Sequence, residues 1–394
     1  MTRKKRADGE GMIRKRSNGV WEARLSIPGQ YRTKSFYGKT QAEARRKRAE
    51  AEKALENGHS LDSQKQTVGE YLEGWIEGPL KGAVAPKTYA DYCWICRKHL
   101  IPEIGRTKLA KLTAEDLERL YARKSAAGQG PRTVGYMHST IRVALQRAVK
   151  KRLIPYNVAR DAEPPSRGPK KEYPTLSIEQ VARFFKAAAE AESRFEAFFI
   201  VAVLAGPCPG ELLGLKWPDL VLPEQPDTPG EARIRRAVSL IGGKPYLRST
   251  TKTGKGRPVH LLPEAVSALR AHRLRYLEER MRYAESWNIA WQAEPNYKDF
   301  VFPSVGGGPM DRDNLGARYF KPLLKRADLP DIRLYDLRHT FATLWLESGE
   351  HPKILQEILG HSRISVTLDT YSHVIPHMQR DAMGRFGAMF SNPS

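Results

Sequence analysis

A multidomain α+β protein, mostly helical with small antiparallel sheets, is predicted from three features of this 394-residue sequence. Two separate stretches, one around Trp21 and one between Ala232 and Leu262, alternate apolar and polar residues with the two-residue period of strands. The long stretches around them repeat apolar residues at helical spacing. Two linker-like stretches, the polar 60–66 and the proline- and charge-rich 157–174, divide the chain into three segments.

The first segment, residues 1–63, reads as a small sheet followed by a helix. In "GVWEARLSIPG", Trp21, Ala23, Leu25 and Ile27 face one way and Glu22, Arg24 and Ser26 the other, as in a half-buried strand. "YRTKSFYG" is a second alternating run. The helix "TQAEARRKRAEAEKALENG" opens on a capping box, Thr40 with Glu43, and stops at Asn57-Gly58. Arg14, Lys15, Arg16, Arg24, Arg32 and Lys34 make this segment a candidate DNA-binding module; a merely solvated basic face is the plainer alternative.

The second segment, residues 67–156, holds four short helical patterns, the third capped by Thr113. Its cations, among them Lys87, Arg132, Arg142 and Arg147, suit a compact bundle that tracks a phosphate backbone. The third segment, residues 172–394, starts cleanly with a capping box, Ser177 with Gln180. It stays helical to about Trp217 and then turns to strands, "ARIRRAVSLI", "KPYLRST" and "RPVHLLP", joined by Gly242-Gly243 and by "TKTGKG". Helical patterns return through "LRHTFATLWLESG" and "PKILQEILGH".

A net charge of +22 and a pI near 9.9 favour a polyanionic partner, nucleic acid before an anionic membrane. No apolar run is long enough to span a bilayer, and no signal-peptide core follows the basic N-terminus, so a cytoplasmic, nucleoid-associated protein is expected. Three cysteines make a disulfide framework improbable. Cys93 and Cys96 form a C-x-x-C inside a helical pattern with no second ligand pair, which favours two half-buried helix residues over a metal site.

The C-terminal run "RLYDLRHTFATLWLESGEHPKILQEILGHSRISVTLDTYSHV" contains Arg338, His339, His361, Tyr371 and His373. Its motifs "DLRHTFAT", "LGHS" and "TLDTYSH", in that order and spacing, resemble the catalytic core of the tyrosine recombinases, or phage integrases. The resemblance extends over the whole chain. It implies a catalytic domain in the third segment, a four-helix core-binding domain in the second, and a three-stranded arm-binding module with a helix in the first. In that family a tyrosine attacks a DNA phosphodiester, forms a 3′-phosphotyrosine and releases a 5′-hydroxyl. The bond energy is kept, so no metal, ATP or other cofactor is implied. Fixed arginine forks then neutralise the phosphorane.

By resemblance Tyr371 is the nucleophile, Arg338 the second catalytic arginine and His361 a donor to the phosphate. The polar neighbours of Tyr371 favour an accessible hydroxyl. Lys252, at a hairpin tip between two strands, is the general acid, with Lys255 as competitor. His339 is expected to support the fold. Implied partners are double-stranded attachment sites of core and arm type, three further copies in a homotetramer, and an accessory DNA-bending or directionality factor. In family members C-terminal segments are exchanged between neighbours, and "HVIPHMQRDAMGRFGAMF" is an amphipathic tail suited to that or to packing on its own domain.

Two positions depart from the family pattern. Tyr335 stands where a histidine usually precedes the arginine by three residues; its hydroxyl hydrogen-bonds but carries no positive charge at neutral pH. Cys208, in "LAGPCPGELLGLKW", stands where the first catalytic arginine belongs, in a loop leading into a helix N-terminus. A thiol is at best a weak donor and no cation. Arg235, Arg236 or Arg257 are the candidates to replace the lost charge. Other readings are a DNA-binding regulator without catalysis, a type IB topoisomerase and a thiol enzyme using Cys208.

Overall fold

In the computed structural model, residues 12–26, 33–56, 65–166, 168, 173–225, 227–248, 256–287, 296–371, 383, 384, 386, 387 and 390 are described. They fall into two compact units, Met1–Lys170 and Lys171–Ser394.

The first unit begins with a three-stranded antiparallel sheet in the order β1 (Ile13–Lys15), β2 (Trp21–Ser26), β3 (Thr33–Gly38), against which α1 (Gln41–Glu56) packs. The alternation predicted for β2 holds for Ala23 and Leu25, but Glu22 on the other face is fully buried. Its carboxylate accepts from the guanidiniums of Arg14, Arg16 and Arg24 and from the Ser35 hydroxyl, which keeps it far below the usual carboxylate range. At the start of α1, Thr40 accepts from Glu43 N–H, but the Glu43 carboxylate takes Lys39 N–H rather than closing the box on Thr40. The Asn57-Gly58 stop, Ile27 and Arg32 lie outside the described residues.

Four helical stretches follow: α2 (Val68–Trp75), α3 (Pro86–Ile95) continued by α4 (Ile101–Ile104), α5 (Ala114–Ala126) and α6 (Pro131–Lys150). Capping boxes at Thr67 and Thr113 fix two starts, and Pro86 and Pro131 sit where a missing N–H does no harm. Their apolar stripes meet in one core that includes Leu72, Leu100, Leu117, Met137 and Leu145. Cys96 is in this core and burial pushes its thiol up to about 12; Cys93 is half-buried beside it. Residues 157–162, expected as linker, belong to the bundle: Asn157 is buried, its amide donates to Arg142 O, and Ala159 and Ala162 join the core.

The second unit is organised around α8 (Glu196–Ala205), apolar on every side and flanked by α7 (Ile178–Glu190), α10 (Pro263–Tyr283) and α13 (Asp336–Glu347). α9 (Pro209–Leu213) is a single short turn. The predicted strand "ARIRRAVSLI" is broken at Arg235-Arg236. β5 (Gly230–Ile234) joins β4 (Leu220–Val221) and β8 (Arg257–Leu261), whereas β6 (Ala237–Ile241) pairs only with β7 (Lys244–Arg248). The break has a cause: both arginines turn to the buried Asp219, and the Arg236 carbonyl and Ala237 backbone press on Gly214 at the end of α9. The stretch holding Lys252 and Lys255 is therefore flanked by strands of two different sheets, not by the two arms of one hairpin. Both lysines lie outside the described residues.

α11 (Arg312–Leu315) and α12 (Lys321–Arg326) form one stretch through a wider turn, and α14 (Pro352–Leu359) and α15 (Ile364–Thr370) close the unit. Two glycines set the geometry of the site. Gly206 ends α8 at φ +68°, and a Cβ there would lie 2.1 Å from the ring of Phe341. Gly360 ends α14, also at φ +68°, and a Cβ there would meet the Arg257 guanidinium at 2.9 Å. Left-handed backbone and close approach both require glycine at these positions.

Candidate active site

The site forms where the loop after α8, the first turns of α13 and the α14–α15 turn converge. Arg338, on the inner face of α13, is only 3 % exposed. Its Nη1 donates to Gly206 O at 3.0 Å and its Nη2 to Leu359 O at 2.5 Å, so one side chain ties two loop ends together. These bonds use two of the five N–H groups of a guanidinium.

Glu211 is the buried counter-ion. It accepts two hydrogen bonds from Arg257, both 2.8 Å, and one from Cys208 N–H at 2.9 Å, and lies 3.8 Å from Arg338. Burial alone would raise its pKa, but the two arginines and the Cys208 N–H prevail and hold it below the ordinary carboxylate value. Arg257 also donates to Ile358 O at 2.7 Å. Of the three arginines expected to stand in for a missing charge, Arg235 and Arg236 are turned to Asp219, and only Arg257 is in the site, where Glu211 neutralises it.

Cys208 precedes α9, with its thiol 3.8 Å from the Tyr335 hydroxyl, to which it donates. Burial, and secondarily Glu211, push the thiol above its ordinary value despite Arg338 and Arg257. The thiol stays neutral. The helix N-terminus at this loop adds little for an anion, because α9 has five residues and Glu211 already takes the Cys208 N–H. The Tyr335 hydroxyl is pushed up to about 12, by burial first and then by Cys208. It is a neutral group at physiological pH.

Tyr371 is 2 % exposed, against the expectation of an accessible hydroxyl. Its ring packs with Phe341, Leu355 and Leu359, so its polar sequence neighbours are a poor guide to the fate of the ring itself. Its hydroxyl hydrogen-bonds His339 Nδ1 at 2.9 Å. Burial raises the phenol, then Tyr335, Cys208 and Tyr173; Arg338 pulls it down. His339 thus touches the candidate nucleophile, which its expected role in supporting the fold did not include. It is sandwiched between aromatic rings: Tyr173 stacks on it at 4.1 Å, nearly parallel, and Tyr335 meets it edge-on at 5.4 Å.

His361 follows Gly360, and its Nδ1 is 2.8 Å from the buried Thr367 hydroxyl. Burial, then Arg338, Arg257 and His339, push it down to about 4. The consequence for stability has a definite sign. An unfolded histidine takes a proton near pH 6.5 while folded His361 stays neutral, so stability falls as pH drops from about 6.5 towards 4. His272 shifts in the same direction, so the share of His361 is read by comparison. Urea midpoints between pH 7 and 5 should fall more steeply for the parent chain than for His361→Gln; equal slopes would contradict the assignment.

The structure therefore brings Tyr371, Arg338, His361, Tyr335 and Cys208 into one pocket, with Arg257, Glu211, His339 and Tyr173 beside them. Sequence reasoning missed the roles of Glu211 and Tyr173. For Glu211 the signal was an acid between apolar residues in "GELL"; for Tyr173 there was none. Among the described residues no cluster of His, Cys, Asp and Glu could hold a metal ion. Elsewhere, Arg14, Arg16 and Arg24 surround Glu22, Lys15 and Lys34 lie on β1 and β3, Lys87 pairs with Asp91 at 2.6 Å, and Arg132, Arg142 and Arg147 are exposed on α6.

With this arrangement in hand, the sequence places the chain among known proteins: residues 174–377 match the "Phage integrase family", and residues 67–125 match "Phage integrase, N-terminal SAM-like domain". The chain belongs to the phage integrase family of tyrosine recombinases. It is similar to an integrase of Streptomyces ambofaciens, 28% identical over 99% of both chains. It is also similar to a "Tyrosine recombinase XerC-like" protein of Caldanaerobacter subterraneus, 27% identical over 91% of this chain and 92% of that one. In fold it resembles the Tn1549 transposon integrase in complex with circular intermediate DNA, with TM-score 0.64 and 20% identity over 81% of this chain and 99% of that one. A lambda integrase tetramer bound to a Holliday junction gives TM-score 0.55 and 17% identity over 93% and 97%. Among the described residues no helix is long and apolar enough to cross a membrane.

Proposed function

We propose that this chain is a site-specific integrase that cuts and rejoins DNA through a 3′-phosphotyrosine on Tyr371, and that its present form is slowed because Cys208 replaces a phosphate-binding arginine. The observation that carries this reading is the buried pocket in which the Tyr371 hydroxyl lies among Arg338, His361 and the Cys208 loop. Tyr371 attacks phosphorus. Arg338 spends its free donors on the non-bridging oxygens, and neutral His361 adds one from Nε2. Lys252 protonates the departing 5′-oxygen. No group in this set calls for a metal or other cofactor.

The exposed cations of α6 hold the phosphate backbone of a core-type site, and the β1–β3 module an arm-type site. Glu22 serves that module as a fixed post around which three arginines are fanned. Assembly is a homotetramer on two duplexes, aided by an accessory DNA-bending or directionality factor, in the cytoplasm. Similarity of fold to the lambda integrase tetramer bound to a Holliday junction supports the tetrameric part of this reading.

A nicked duplex carrying the attachment site, built so that cleavage releases a short fragment, tests the reading. The chain should become covalently attached to the strand whose 5′ end is labelled, at a slow rate. Attachment to the other strand end, or DNA binding with no adduct even after Cys208→Arg, would favour the regulator without catalysis. Relaxation of a plasmid lacking the site would favour a topoisomerase.

A further inference from the structure

Position 335 holds a tyrosine, yet an imidazole still faces the nucleophile. It comes from one helical turn further on. Tyr335 and His339 are four residues apart, so they share a face of the α13 region. His339 Nδ1 is 2.9 Å from the Tyr371 hydroxyl, within the reach required of a general base. The ring cannot drift, because Tyr173 stacks on it at 4.1 Å with an interplanar angle of 4° while Tyr335 abuts it edge-on. Arg333 in turn lies over the Tyr173 ring at 5.4 Å. A merely structural histidine on a buried helix face does not require a ring nitrogen to be aimed at a phenol.

We propose that His339 is a catalytic residue of this chain, the proton acceptor that activates Tyr371, in the place left by the tyrosine at 335. The proposal rests on the cleavage reading above. Neutral His339 carries its proton on Nε2 and takes the phenol proton on Nδ1 as the Tyr371 oxygen bonds to phosphorus. The P–O5′ bond breaks, and the departing oxygen takes a proton from the general acid proposed at Lys252. On religation the 5′-hydroxyl attacks phosphorus and gives its proton back to the general acid proposed at Lys252, the P–O bond to Tyr371 breaks, and His339 returns its proton to the leaving phenolate. Arg338, next to His339 in the chain, favours the phenolate as it forms, since it already pulls the phenol down. Tyr335 keeps the ring oriented and adds no competing base.

Two arms test this in the full-length chain. The first needs no DNA. Tyr371→3-fluorotyrosine supplies a ¹⁹F reporter at the hydroxyl's edge. Among the described residues, the titratable and charged groups around His339 are Tyr173 with Arg333, Tyr335 and Arg338 on its own helix region, Cys208, His361 and Tyr371. Replacing His339 by Gln should remove an inflection from the fluorine titration that His361→Gln leaves in place. A titration insensitive to His339 overturns the hydrogen bond and the proposal with it.

The second arm measures covalent capture on the nicked attachment-site duplex in a Cys208→Arg background. His339→Gln keeps the shape and an acceptor but takes up no proton, and should slow capture roughly 100-fold. Combining it with a fluorinated, more acidic tyrosine at 371 should restore most of that loss, which repairing a misfolded pocket would not do. Equal rates for His339→Gln and its parent overturn the proposal while leaving the recombinase reading intact. No capture by the parent itself overturns the recombinase reading instead, and the fluorine arm then decides on the hydrogen bond alone.

Discussion

Cys208→Arg is expected to speed covalent capture of DNA by about 10²- to 10³-fold. Among the described residues of the pocket, Arg257 and Arg338 face a single carboxylate, Glu211, while Cys208, Tyr335 and His361 are neutral. That leaves one net positive charge beside a phosphorane that carries two negative ones. Arg257 does not fill the gap, since both its terminal nitrogens are bound to Glu211 and its Nε to Ile358 O. The backbone at 208 has φ −63° and ψ 147°, ordinary for any side chain, so the loop accepts arginine without strain. Cys208→Lys should recover less, having a point charge instead of a fork. Cys208→Ala should match the parent, because a neutral, half-buried thiol contributes no charge. Single-turnover rates on the nicked duplex decide this, and a parent chain that outperforms Cys208→Ala would point to a thiol mechanism.

Arg338→Ala is the second large effect, and it falls on chemistry and fold together. Capture should drop at least about 10³-fold in the Cys208→Arg background, as the remaining fork alone then faces the phosphate. Stability should fall by about 2–4 kcal/mol, because two buried carbonyls, Gly206 O and Leu359 O, lose their donor. Glu211 also loses a neighbouring charge, though Arg257 continues to pair with it. Arg338→Lys should separate the two losses: a lysine keeps the charge but spans only one of the carbonyls. Denaturant midpoints measured beside capture rates check both, and full activity in Arg338→Ala would remove this arginine from the mechanism.

The helices and strands were legible because burial follows period: α8 is apolar all round and lies at the centre, and the capping boxes at Thr113 and Ser177 begin helices as expected. The strand break at Arg235-Arg236 was not legible, because it depends on a buried aspartate some sixteen residues earlier in the chain, Asp219. Most of the pocket was reached through motif spacing around Arg338, His361 and Tyr371. Its second layer was not. Whether a tyrosine hydroxyl faces solvent or a histidine depends on which ring packs on Leu355 and Leu359, and local polarity does not encode that. The same holds for Tyr173, brought beside His339 from far along the chain by the way residues 173–177 lie against α13, where Leu176 N–H donates to Thr340.

The most direct measurement is the identity of the residue that holds the DNA. The adduct captured by the Cys208→Arg chain is digested with trypsin and nuclease, and the modified peptide is sequenced by mass spectrometry. A nucleotide on the tyrosine of the peptide 364–380, absent after Tyr371→Phe, is the predicted result. A nucleotide on any other side chain, or an adduct that survives Tyr371→Phe, would contradict the account.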